Sequence, residues 1–292
     1  MQTLESWHNP RDGSLMRVIP AGPFTMGSTP AETVSAQALD RDGVLFALRD
    51  ETPQFRAQVP AFSIGVYAVT NKQFAAFLTA LRPPPPQLEL WIPVPEQIIV
   101  PRNDTKPYRT RRGFESHPAI HISWFGAQAY CRWAGLRLPT EIEWEKAARG
   151  DDARIFPWGN SWESHRLCWW GSHMSDQSTS PVHAFENGCS AHGIFQMAGN
   201  VEEWCADSYQ RKVYQRYATG DLHTPASGIG RVVRGATCLR GNRLEFRCAK
   251  RRSNSPSFTN ILYTGIRCAS DSVSRPEPGG AARVLRLGHY PK

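Results

Sequence analysis

The hexapeptide Leu138-Pro139-Thr140-Glu141-Ile142-Glu143 constrains the fold of this chain more than any other stretch. A threonine followed three residues later by glutamate is a capping box: the threonine oxygen takes the N–H of the third helical residue and the glutamate carboxylate takes the cap's own N–H. A helix is therefore expected from Thr140 to near Arg149. Beyond it glycine, proline and tryptophan dominate, so strands must be short. The expectation is one α+β domain over residues 1–270 with more irregular than regular structure, then a tail over 271–292. With 292 residues, 40% hydrophobic and 11% aromatic, the chain can bury a large core.

Other elements read less sharply. Met16 to Ser28 alternates apolar residues around Pro-Ala-Gly and predicts a strand and turn, and polar residues 29–50 read as an inserted surface loop, with a short helix near Val44 to Leu48. Ala61 to Val69 predicts a strand. Thr70 can cap a helix whose apolar positions Phe74, Phe77 and Leu78 share one face, ending before the prolines at 83–86. Residues 82–116 show little periodicity and are expected to be irregular. His117 to Trp124 predicts a strand, followed by a helix closed by Gly135. Trp144, Trp158 and Trp204 are read as core anchors for loops. Val284, Leu285 and Leu287 could pack the tail back onto the domain.

The formal charge of +8 is carried mainly by arginine, which suits bidentate contact with carboxylates or phosphates. No recognition-helix motif, RNP-like strand or long basic run accompanies it, so a solvated basic surface is expected and a nucleic-acid partner is not. No twenty-residue apolar run and no signal-like start are present. The expectation is a protein with no membrane partner, cytoplasmic or phage-borne. Seven cysteines without a CxxC pair read as buried thiols. His117 and His121 lack a third ligand nearby and read as structural.

Seven blocks occur in order: IPAGPFTMGS, VYAVTNKQF, HPAIHISWFGAQAYCRWAGLRLPTEIEWEKAARG, FPWGN, GIFQMAGNVEEWCADSY, RVVRG and GIRCA. Together they resemble the sulfatase-modifying-factor, or formylglycine-generating-enzyme, family. The resemblance implies a C-type lectin-like fold of the formylglycine-generating-enzyme type. It also implies a structural calcium site on the side chains of Gln196 and Glu203 and the carbonyls of Gly199 and Val201, where glutamine departs from the family's Asn or Asp. The alternative for Glu203 is a pair with an arginine. A further implication is that Cys131 and Cys268 lie close, bonded or not, with Cys248 a lone thiol.

The family's oxidases bind copper(I) through two cysteines just after the RGGS-like block. Here that block runs Arg234-Gly235-Ala236-Thr237-Cys238-Leu239-Arg240-Gly241-Asn242-Arg243-Leu244-Glu245-Phe246-Arg247-Cys248. The first thiolate position falls near Arg240 and the second is deleted or replaced near Leu244 or Glu245, so no copper is expected. Residues 234–269 are read instead as a variable-like region. Ser253 to Thr264 contains only residues reachable from an asparagine codon by changing its adenines, which resembles variable proteins of diversity-generating retroelements. On that reading Leu239, Arg240, Gly241, Asn242, Leu244 and Phe246, with Ser253, Asn254, Ser255, Ser257, Phe258, Thr259, Asn260, Ile261, Leu262, Tyr263 and Thr264, form an exposed patch for a protein or other macromolecular ligand. The alternative is an oxidase that uses Cys238 with some other thiol, or a divergent enzyme of the same fold.

Overall fold

The computed structural model describes residues 4–39, 48–101, 103, 105–172, 179–257 and 263–274. In chain order the first half forms β1 (Ser6–His8), β2 (Leu15–Ile19), β3 (Gly22–Met26), α1 (Pro30–Leu39), β4 (Phe55–Val59), β5 (Phe62–Gly65), α2 (Asn71–Leu81), α3 (Pro85–Trp91), β6 (Ile98–Ile99), β7 (Arg109–Thr110), α4 (Trp124–Ala134) and α5 (Glu141–Arg149). The second half adds β8 (Glu202–Ser208), α6 (Val213–Tyr217), β9 (Arg231–Arg234), β10 (Arg251–Asn254), β11 (Thr264–Gly265) and β12 (Ala269–Ser270). One four-stranded sheet has the order β1-β2-β5-β12, so strands from both ends of the domain share it, and a second has the order β10-β9-β8-β11.

Local chemistry explains the helices. Thr140 accepts from the Glu143 N–H at 3.2 Å while Glu143 accepts from the Thr140 N–H at 2.8 Å, which is the reciprocal cap that starts α5. Thr70 and Gln73 do the same for α2, which ends at Arg82 in the left-handed region before the prolines. Ser123 caps α4, and Gly135 closes it at φ 72°.

Three expectations need correction. Residues 82–116 are not wholly irregular: Pro85 fits the first turn of α3, where its fixed φ and missing N–H cost nothing, and the helix buries Trp91 against Phe77 with ring centroids 5.1 Å apart. The stretch from His117 to Trp124 forms no strand. Its N–H groups go to different partners, Ala119 to Val69 O and Ile122 to Thr264 O, and His121 has φ 57°, so no ladder can propagate. The insert after Thr29 contains α1 and a 3-10 turn, Leu48–Glu51, whose Glu51 is buried rather than at the surface. The expected helix near Val44 lies outside the described residues except for Leu48, and so do Val284, Leu285 and Leu287.

Alternation along β8 and β9 divides the core. Trp204 and Val233 face a cluster containing Phe74, Phe77, Tyr130 and Ile266, while Cys205 and Val232 face one containing Trp144, Phe24, Phe62 and Tyr214. Trp158 packs half-buried against a third cluster built on Phe156, Leu167 and Phe246.

Every residue of α5 is buried, including Glu141, Glu143, Glu145, Lys146 and Arg149. Buried charges survive only with partners. Arg251 donates to both oxygens of Glu141 at 2.8 and 2.7 Å, Arg234 bridges Glu141 and Glu145, and Lys146 donates to the carbonyls of Pro20 and Gly22. Burial alone would raise the Glu145 carboxyl, but Arg234 and Arg149 outweigh it and hold it below its usual range. The arginine excess is thus partly structural: Arg149, Arg234, Arg247, Arg251 and Arg267 are all buried.

Asp207 is the exception in this lattice. Burial first, then the Glu141 carboxylate, raises its carboxyl to about 7. The folded state therefore holds this proton more tightly than the unfolded chain, where aspartate titrates near 4. Its stabilising contribution is complete below about pH 4 and is lost as pH rises through about 7. Urea unfolding of wild type and Asp207→Asn from about pH 5 to about pH 8 should show the wild type losing stability relative to the variant as pH rises. A pH-independent difference would contradict the assignment.

Candidate functional site

Strands β9 and β10 pair in register from Arg234 opposite Arg251 to Arg231 opposite Asn254, so residues 235–250 form a long excursion from one sheet edge. Its departure is tight. Gly235 has φ 96° with the Trp144 ring 3.3 Å from where a Cβ would stand, and Ala236 follows at φ 60°. Thr237 and Cys238 are buried, Leu239 and Arg240 are half-buried, and Gly241 and Arg243 are exposed. Asn242 then accepts from the Leu244 N–H at 3.0 Å and starts the 3-10 turn Arg243–Phe246.

The predicted patch is only partly a surface. Leu239, Arg240, Gly241 and Asn242 form an accessible tip; Ser255 and Ser257 are also exposed, and Ser253 and Tyr263 half-buried. Leu244 and Phe246 belong to the core instead: Leu244 packs on Leu48, and Phe246 lies 5.7 Å from the Trp162 ring and 6.5 Å from that of Trp169. Asn254 and Thr264 are also buried, because they sit in β10 and β11 against Glu202. Phe258, Thr259, Asn260, Ile261 and Leu262 lie outside the described residues.

Both positions expected to correspond to the copper thiolates are otherwise engaged. Arg240 approaches Glu245 at 3.5 Å, and Glu245, itself buried, also binds Arg252 at 3.0 Å. These contacts anchor the base of the tip.

The calcium ligands do not assemble as a cation cage. Both oxygens of Glu203 accept from Arg267, at 2.8 and 2.7 Å, and Oε2 also accepts from Trp144 Nε1 at 2.7 Å. The Gln196 carboxamide donates to Pro181 O and Ala184 O and accepts from Asn200. Gly199 O accepts from the Val201 N–H. A guanidinium thus stands on the one carboxylate of the set, and the ligand atoms that remain are neutral, those of Gln196 and Gly199 already engaged, a poor fit for calcium. No group of three or more His, Cys, Asp or Glu suited to a metal occurs among the described residues. His117 meets Thr179 at 2.9 Å and His121 meets Glu96 at 2.9 Å, so the two share no face.

Cys131 and Cys268 face each other with sulfurs 3.4 Å apart, as thiols. Burial pushes the Cys248 thiol up to about 12.

Sequence reasoning missed two features of the face. Trp170 is 56% exposed, donates its backbone N–H to Arg240 O at 3.1 Å and stands over Gly241. The Trp169-Trp170 doublet was its only signal. Beside the tip opens a cleft of about 420 Å³ with walls from Ile155, Phe156, Trp162 and Leu244 and with Arg149 and Arg243 at its edge. No helix among the described residues is long and apolar enough to cross a membrane.

Two four-stranded sheets, two two-stranded ribbons, capped helices and long loops define a mixed α+β protein of the C-type lectin-like, formylglycine-generating-enzyme type. Residues 5–272 match the sulfatase-modifying factor enzyme 1-like domain, and the chain belongs to that family. It is 34% identical to the formylglycine-generating enzyme of Thermomonospora curvata over 88% of this chain and 94% of that one. Its fold is similar to that of PvdO from Pseudomonas aeruginosa, with a TM-score of 0.68 at 22% identity, covering 93% of this chain and 100% of that one. It is also similar to Treponema denticola variable protein 1, with a TM-score of 0.62 at 18% identity and the same coverage.

Proposed function

We propose that this chain is a non-enzymatic binding protein that presents a diversified C-terminal face to a protein or other macromolecular ligand. The observation that carries the reading is the occupancy of the block after β9. Where the family's oxidases are expected to hold thiolates, Arg240 and Glu245 form an ion contact and Leu244 packs on Leu48. The accessible residues are leucine, arginine, asparagine, glycine, serine and tyrosine beside an exposed tryptophan, the mixture of anchors and adaptable polar groups that binding loops use. Buried neighbours on both sides let the tip vary without disturbing the core.

The second reading, an oxidase of the formylglycine-generating type, is favoured by the 34% identity to the Thermomonospora curvata enzyme. The genome separates them. An adenine-rich near-duplicate of the DNA for residues 234–269, beside a reverse-transcriptase gene and differing from it only at adenines, is the expected finding for a diversified face. Relatives of this chain whose tips match residue for residue, with no such duplicate nearby, would overturn it.

A further inference from the structure

Two thiol pairs are built into this fold with opposite chemistry. Cys131 and Cys268 are buried, and the Cys268 thiol is pushed well up, first by its hydrogen bond with Cys131 and then by burial. The second pair joins two segments remote in sequence. Asn200 donates its N–H to Cys168 O at 2.9 Å and accepts at its own carbonyl from the Cys238 N–H at 3.0 Å, so the backbone of one residue holds both cysteines. Their side chains are hydrogen-bonded to each other, and the buried Ser180 hydroxyl, which has no other hydrogen-bond partner among the described residues, lies against the Cys168 sulfur. Gly199 permits this approach: a Cβ there would stand 2.3 Å from Cys168 O.

We propose that Cys168 and Cys238 are a modification site, a dithiol that peroxide converts to a disulfide. Burial raises the thiols of Cys189, Cys205 and Cys248, whereas the hydrogen bond from Cys238 lowers that of Cys168 against the effect of burial, with help from Ser180 and Ser172. A thiolate, not a thiol, is the nucleophile. The Cys168 thiolate attacks hydrogen peroxide, forming an S–O bond as the O–O bond breaks. The products are the Cys168 sulfenic acid and hydroxide, which takes up the proton that Cys168 released on ionising and leaves as the first water. Cys238 then attacks the sulfenic sulfur; the S–S bond forms, the S–O bond breaks, and the Cys238 proton leaves with the oxygen as water. The dithiol is oxidised by two electrons and peroxide is reduced to water.

The bond would tie the loop carrying Trp170 to the base of the Leu239–Arg243 tip and so fix the relative placement of the two parts of the face. Its chemistry does not depend on what that face binds.

The test is peptide mapping of the intact chain after brief hydrogen peroxide treatment, alkylation and non-reducing tryptic digestion. Cleavage after Arg234 and Arg240 releases Cys238 in Gly235–Arg240, and tandem fragmentation locates its partner. The expected product is this peptide bonded to Cys168, with both thiols lost about tenfold faster than those of Cys131 and Cys268. Cys168→Ser should leave Cys238 alkylated, which needs only a digest rather than a stable fold. Sulfinic acid at Cys168 without a linked peptide, a link to another cysteine, or no faster thiol loss would overturn the proposal.

Discussion

Arg267→Met is expected to cost about 3–5 kcal/mol, the range for removing one partner of a buried ion pair. Arg267 is fully buried and uses all five of its N–H donors. Nε and Nη2 bind the two oxygens of Glu203, Nη1 binds Gly65 O at 2.8 Å and Val66 O at 2.9 Å, and Nη2 also binds Phe195 O at 2.8 Å. Methionine fills comparable volume but strands a carboxylate that, among the described residues, keeps only Trp144 Nε1 as a donor. The measurement is the urea midpoint at neutral pH. Removing the stranded charge as well, with Glu203→Leu, should recover part of the loss. A single variant within about 1 kcal/mol of wild type would mean that Arg267 is not the internal counter-ion of Glu203.

Gly199→Ala should be of similar size, about 2–6 kcal/mol, because two costs add. At φ 80° an L residue is strained by about 1–3 kcal/mol. The new Cβ would also meet the Cys168 carbonyl at 2.3 Å, and relieving such a clash against backbone costs about another 1–3 kcal/mol. Gly220 supplies the control, since it has φ 93° but nothing within 4 Å of its Cβ position. Gly220→Ala should show the conformational cost alone, so the difference between the two urea midpoints isolates the crowding. Equal losses at both sites would remove the close approach of residues 168 and 199 from the account.

The sequence made the capped elements legible because their signals are local. Thr140 with Glu143, Thr70 with Gln73, and Gly135 each decide a helix end by a contact within a few residues. Long-range chemistry was not legible. Nothing within α5 marks Glu141 and Glu145 for burial, yet they are buried because Arg234 and Arg251, about a hundred residues on, come to them through β9 and β10. The face was half legible for the same reason. Leu239 to Asn242 lie at the accessible tip, but Leu244 and Phe246 looked equally suited to a surface patch, and Leu48 and Trp162 give them a core to enter. Cys168 and Cys238 meet because Gly199 and Asn200 bring two loops together, which no spacing in the chain could indicate.

The most direct measurement of whether this surface binds rather than oxidises is oxygen uptake by the full chain supplied with copper(I) and a cysteine-containing peptide. With Arg240, Leu244 and Glu245 where copper thiolates would be needed, uptake should equal that of copper and peptide without protein. Uptake that saturates with peptide and yields an aldehyde on its cysteine would contradict the binding account and make the chain an oxidase.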